Sequence, residues 1–282
     1  PTGTVTNTAI SCPATACPDA SWACTGGRCV QTVKAPDPGA AALLQPYRDQ
    51  LSTVYDTKVA RTAGIFTRDG SAERVREVPI GDLLADAMLD RYRQSDGAQI
   101  AFTNGGGIRA SLPSSWVVKD TSLTRIGCSA GTPCDVVTGD IYTVLPFGNV
   151  AVIRRITGQL LWQVLEYSVG AIPSVNGRFL QIAGFKFEYS AGVAPGSRIQ
   201  RVYLLDPQGA TIKEIAKDDT TEYVVVTNDF TAGGGDGYSM LVQTPAAPGR
   251  EVLADVFLGY VRGRAVISPT DYPASTRIIQ NP

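Results

Sequence analysis

Histidine is absent from the 282 residues, and that absence removes most ways of holding a catalytic metal pair. Di-metal hydrolytic sites bind their ions with a mixture of His, Asp and Asn and place a His near the attacking or leaving oxygen. The chain alone is therefore expected to carry no metal site and no catalytic residue. An excess of charge of one sign is lacking too. The 25 basic and 26 acidic side chains nearly cancel, which argues against a polyelectrolyte partner and a nucleic-acid groove. Any phosphate must then be met by a few placed groups. No apolar run is long enough to span a bilayer, and the first residues lack a basic start followed by an apolar segment, so the chain reads as soluble and already processed.

Six cysteines are present: Cys12, Cys17, Cys24, Cys29, Cys128 and Cys134. Their spacing lacks the close C-x-x-C pairs of a zinc knuckle, and disulfides account for them better. The first four lie in a stretch rich in Thr, Ala, Pro and Gly that offers no core, so covalent staples would supply its order. Among the pairings open to them, Cys12 with Cys17 or Cys24 is favoured, and the connectivity stays open. Cys128 and Cys134 bracket Ser-Ala-Gly-Thr-Pro, a turn that a disulfide could close. This usage implies a secreted protein, extracellular or periplasmic.

The length suits one large domain with an appendage. Residues 1–38 form a cysteine-rich extension ending in a linker, Ala35-Pro-Asp-Pro-Gly39, and residues 39–282 form the main domain. Leu43, Leu44, Tyr47, Leu51, Val54 and Tyr55 fall at helical spacing, with Pro46 tolerable only in a first turn. A strand over 58–67 and an Arg-Asp-Gly turn lead to a helix whose Leu83, Leu84, Ala87, Met88 and Tyr92 share one face. The polar stretch 111–140 reads as an insertion. Beyond it the pattern predicts a strand over 150–156, a helix over 158–168 with Trp162 packed, and sheet over 178–190 with Gly184 at a bulge. A hairpin turning at 206–209, a strand over 222–227, a last amphipathic helix from Val252 to Val261 and a closing strand over 277–280 follow. The fold class is α+β, a mixed β-sheet with about four packed helices.

Three stretches each end an apolar strand or follow one in a loop: Ala101-Phe-Thr-Asn-Gly-Gly-Gly-Ile-Arg109, Val144-Leu-Pro-Phe-Gly-Asn149 and Thr227-Asn-Asp-Phe-Thr-Ala-Gly-Gly-Gly-Asp-Gly-Tyr238. Phe147 and Phe230 stand outside any core periodicity, next to glycines, where a ring can be presented to a flat ligand. Asp236 can accept hydrogen bonds from a diol, and the guanidinium of Arg109 suits sugar or phosphate oxygens. Glycines 105–107 and 233–235 let the main chain come close to a ligand. They do not form a Walker loop, since no Gly-Lys-Ser/Thr follows.

In order and rough spacing this trio resembles the C-terminal, substrate-binding domain of the 5'-nucleotidase family, and Ile80-Gly-Asp-Leu-Leu-Ala-Asp-Ala-Met88 resembles a helix of it, with Asp82 in place of the commoner Asn. The resemblance covers about 43–279. It implies a base sandwiched between Phe147 and Phe230, ribose on Asp236, a base edge on Asn104, and Arg109 and Arg76 on the sugar and phosphate side. Gly105, Gly106, Gly107, Gly234 and Gly235 would shape the loops. For Arg76 a surface salt bridge is the other expectation. The resemblance also implies that two divalent metal ions sit in a separate N-terminal metallophosphoesterase domain, in the same precursor or another chain, so that this chain supplies recognition and positioning. The alternative is a stand-alone extracellular binding or structural protein, with the cysteine-rich segment serving assembly or attachment.

Overall fold

In the computed structural model, residues 37–242 and 248–282 are described in full, and before them the backbone of strands β1 (Thr4–Ser11), β2 (Trp22–Thr25) and β3 (Arg28–Thr32). The chain divides into two compact units, 1–51 and 52–282. In the first, the strands pair antiparallel in the order β1-β3-β2, and the register sets Cys24 opposite Cys29. Cys12 and Cys17, and hence the favoured pairings of Cys12, lie outside the described residues.

Helix α1 spans Pro38–Tyr55. The Pro-rich break expected to be linker is in part its start: Asp37 Oδ1 accepts the Ala40 amide over 2.8 Å, and Pro38 opens the helix at a position where no N–H is needed. Pro46 lies inside the helix, beyond the first turn, which corrects the sequence expectation. The helix has no buried residue, so the carbonyl one turn before Pro46 can be hydrated instead of paired.

In the second unit, β4 (Lys58–Thr62) leads to α2 (Pro79–Asp96) and β5 (Ile100–Asn104). Then come β6 (Cys134–Val137), α3 (Thr138–Val144), β7 (Val150–Thr157) and α4 (Gly158–Val169). Strands β8 (Leu180–Ala183), β9 (Phe185–Ser190), β10 (Ile199–Leu205), β11 (Thr211–Glu214) and β12 (Glu222–Asn228) precede the short α5 (Asp229–Ala232). The chain continues through β13 (Gly249–Val252), α6 (Leu253–Arg262), β14 (Val266–Ile267) and β15 (Ile278–Asn281). The architecture is α+β, with six helices among the described residues. The number exceeds the expected four because α3 and α5 are too short to show a period in sequence.

A five-stranded sheet, β13-β7-β12-β5-β8, lies at the centre. Strand β12 alternates across it. Val224 and Val226 join a core with α2 and α6, whereas Tyr223 and Val225 join a second core with α4 and the four-stranded sheet β11-β10-β9-β15. Burying both faces explains the unbroken β-branched run. Helix α2 opens with Pro79 and stops at Gly97, whose φ of 70° is left-handed. Its Leu83, Leu84 and Met88 are buried, each contributing roughly 1.5–3 kcal/mol of burial.

Three local expectations change. The strand from Lys58 ends at Thr62, and Phe66 makes a lone bridge to Leu112. Gly184, at φ 82°, is a corner rather than a bulge, because β8 belongs to the central sheet and β9 to the four-stranded one. The tail of the supposed insertion is structural: β6 pairs with β4, and buried Asp140 holds the Arg125 guanidinium through both oxygens at 2.6 and 2.7 Å. The Cys128–Cys134 disulfide closes the loop before it.

Topology fixes where a site can form. Strands β5 and β12 are parallel, so Asn104 and Asn228 end at the same edge of the sheet; β7, antiparallel to β12 with Ala151 opposite Asn228, starts there. All three loop motifs therefore meet at one edge.

Candidate functional site

At that edge lies a cavity of about 450 Å³, lined by Arg74, Asn104, Arg109, Phe147, Phe230 and Asp236 among others. Its volume falls within the roughly 300–1,000 Å³ of small-molecule sites. A larger groove of about 810 Å³ runs along α4, but none of the three loop motifs lines it.

Phe147 and Phe230 remain 59% and 44% exposed and both line the cavity. The loop bearing Phe147 is pinned on both sides: the Arg109 amide donates to Val144 O over 2.8 Å, and the Leu253 amide to Asn149 O over 2.7 Å. Phe230 stands on α5 with its ring against the main chain of Gly235, where a Cβ would come within 2.5 Å of it. The Arg109 guanidinium sits 5.6 Å from the Phe147 ring centroid, a cation–π distance.

Asp236 occupies a left-handed conformation at φ 53°, held by the Tyr167 hydroxyl, which donates to its carbonyl over 3.0 Å. Its Oδ2 accepts from Asn104 Nδ2 over 2.7 Å. Gly106 and Gly177 close around the same oxygen, for a Cβ on either would stand 3.2 or 3.1 Å from it. Gly105 meets a harder limit, since its Cβ would lie 2.0 Å from Glu73 O. No hydrogen bond within the described residues uses Oδ1.

Asn104 itself is buried. Its Oδ1 accepts from Asn228 Nδ2 over 3.1 Å and from Thr231 Oγ1 over 3.3 Å. The side chain expected to offer a donor and an acceptor to a base edge is thus engaged within the protein through its oxygen and one amide hydrogen.

The structure brings Asn104, Arg109, Phe147, Phe230 and Asp236 around one cavity and leaves Arg76 out of its lining. Arg76 pairs with Asp69 at the surface, where both side chains are largely exposed, as the salt-bridge expectation had it. In its place Arg74, at the end of a 3-10 turn over Ala72–Arg74, joins Arg109 in the lining. Its Nε is buried without a hydrogen bond and lies 3.6 Å from Glu73. The Arg74-Val-Arg76 repeat carried the signal but not the choice between its two arginines. Asn149, Gly177 and the Asn228–Thr231 pair also went unforeseen; only the Asn-Asp-Phe-Thr pattern, an N-cap signature, hinted at the last.

Among the described residues, no group of three or more His, Cys, Asp or Glu side chains could hold a metal ion. No described helix is long and apolar enough to cross a membrane.

Residues 54–243 match the family model described as "5'-nucleotidase, C-terminal domain". The trifunctional nucleotide phosphoesterase protein YfkN of Bacillus subtilis is 33% identical over 80% of the chain, which spans 13% of that protein. An apyrase of Aedes albopictus is 27% identical over 80% of the chain, which covers 36% of the apyrase. Among solved structures, a 5'-nucleotidase precursor from Thermus thermophilus superposes with a TM-score of 0.70 at 27% identity, covering 91% of this chain and 48% of the other. The chain thus spans a minor part of each relative's length.

Proposed function

The chain belongs to the 5'-nucleotidase family, whose C-terminal domain it carries, and from that premise we propose that it is the nucleoside- or nucleotide-recognition domain of a secreted phosphohydrolase. The observation that carries this reading is the convergence of two exposed phenylalanines, a carboxylate and two arginines on one cavity. The base stacks between Phe147 and Phe230, which contributes roughly 1–3 kcal/mol per ring. Asp236 accepts from the ribose hydroxyls, and Arg109 with Arg74 meets the anionic tail, where a guanidinium fork fits phosphate oxygens.

Hydrolysis in this reading belongs to two divalent ions in a metallophosphoesterase domain outside this chain. The residues here do not fit such a site, having no histidine and, among those described, no suitable cluster. What the chain contributes is positioning of the ligand. The Cys128–Cys134 disulfide supports an oxidising compartment. Residues 39–282 would form the binding domain, and 1–38 an extension to it.

The test is a calorimetric titration with adenosine and AMP, beside a Phe147→Ala/Phe230→Ala variant shown to be folded. Binding by the parent and its loss in the variant is expected, and no binding by the parent at millimolar ligand would overturn the reading. Phosphate release from AMP by the pure, metal-supplemented chain would overturn the assignment of the chemistry elsewhere.

A further inference from the structure

The carboxylate of Asp236 is oriented by a chain of side-chain amides that begins at a main-chain N–H. Thr231 N can only donate, and it donates to Asn228 Oδ1 over 2.7 Å. That bond fixes which end of the Asn228 amide is oxygen, so Nδ2 must face the other way, where it donates to Thr103 Oγ1 over 2.9 Å and Asn104 Oδ1 over 3.1 Å. Asn104 is thereby fixed in turn. With its oxygen toward Asn228, its Nδ2 points at Asp236 and donates to Oδ2 over 2.7 Å. Asn228, Asn104, Thr103 and Thr231 are all buried, so water cannot readily take the place of any of these partners.

We infer that Asn228 is a positioning residue for ligand recognition: it sets the polarity of Asn104, which occupies Asp236 Oδ2 and leaves Oδ1 as the oxygen that reads a vicinal diol. The inference rests on the proposed role of Asp236 and deepens it, making the ribonucleoside cis-diol the feature selected at this end of the cavity. Asn228 is not among the residues that line the cavity. Its effect reaches the diol only through Asn104.

The substitution Asn228→Asp isolates this role. Aspartate keeps the acceptor that caps Thr231 N, so α5 retains its N-cap. It cannot donate to Asn104 Oδ1, and two oxygens would then face each other at about the 3.1 Å now spanned by the bond. The relief is a flip of the Asn104 amide, which turns its oxygen toward Asp236 and releases that carboxylate from its anchor.

Titrations of the parent and N228D with adenosine and 2',3'-dideoxyadenosine test it, with thermal unfolding to confirm that both fold. The parent is expected to bind adenosine about ten- to hundredfold tighter than the dideoxy analogue, the range of one charge-assisted hydrogen bond. In N228D the two ligands should bind alike, at the strength the parent shows for the analogue. An unchanged ratio in N228D overturns the inference while leaving the proposed function standing. Failure of the parent to bind either ligand overturns both. Should N228D not fold, Asn228→Ser retains a cap too short to reach Asn104, leaves Thr231 Oγ1 at 3.3 Å as the donor to Asn104 Oδ1, and is expected to lessen the discrimination; an unchanged ratio there overturns the inference as well. A check on the parent alone is the Asn104 side-chain amide resonance, expected to shift with adenosine and not with the analogue; equal shifts overturn the inference.

Discussion

Asn104 and Asp236 stand 132 residues apart in the chain, and the amide of one donates to the carboxylate of the other over 2.7 Å. The bond ties the end of β5 to the loop after α5 in the lining of the cavity. Placed contacts of this kind, around the cavity and beyond it, set the outcome of five variants.

Arg74→Ala is expected to weaken AMP binding by roughly tenfold to a hundredfold, the worth of one hydrogen bond to a charged group, with a smaller effect on adenosine. Arg76→Ala should change neither, because its partner is Asp69 at the surface. Calorimetric affinities of the two variants for both ligands decide it, and equal losses would return the anion-binding role to Arg76.

Gly235→Ala places a methyl 2.5 Å from the Phe230 ring, and the exposed ring is what can give way. Adenosine affinity should fall by about the 1–3 kcal/mol of one stacking face, with little loss of thermal stability. A full-strength titration by the alanine variant would show that the ring does not need this seat.

Asp82→Asn is expected to stabilise the fold at neutral pH. Burial holds the Asp82 carboxyl well above the usual carboxylate range, against the pull of Arg277, with Glu77 and Asp86 adding to the rise, and neither oxygen is hydrogen-bonded. A pKa raised on folding costs stability as pH climbs from the unfolded value of about 4 through the folded one. The gain in Tm should therefore grow as pH rises above about 4 and vanish as pH falls toward that value. Arg277 keeps its two bonds to Asp86, 2.7 and 2.9 Å long. A gain independent of pH would contradict this account.

Replacing Cys128 and Cys134 with serine should lower stability by about 2 kcal/mol, the chain-entropy value for so short a loop, and leave adenosine affinity unchanged, since neither residue lines the cavity. Denaturant unfolding and titration of the double variant measure the two effects separately.

Most of the sheet and the longer helices were legible because burial on two faces leaves a mark in sequence: the β-branched run of β12, the apolar stripe of α2, the alternating rings at Phe185, Phe187 and Tyr189. The loop residues at the cavity were legible for the opposite reason, their failure to fit any period. What escaped depends on contacts across the chain. Whether Arg74 or Arg76 turns inward is decided by a 3-10 turn of three residues, too short to declare itself. Asn104 reads in sequence as a free donor and acceptor, because its partners Asn228, Thr231 and Asp236 lie 124, 127 and 132 positions away. Asp37 and Pro38 looked like linker when they were a cap and a first turn, and Gly184 hid a change of sheet behind what looked like one continuous strand.

The parallel pairing of β5 and β12 has a mechanical side. Two of the three loops at the cavity are rooted in neighbouring strands, β5 and β12, and the third, bearing Phe147, leads into the strand on the other flank of β12. Such a platform is one piece: Phe147, Phe230, Asp236 and Arg109, which line the cavity, are all carried by loops of the same sheet. Under the proposed reading, the spacing between the groups that would meet base, sugar and anion is therefore set by the sheet itself.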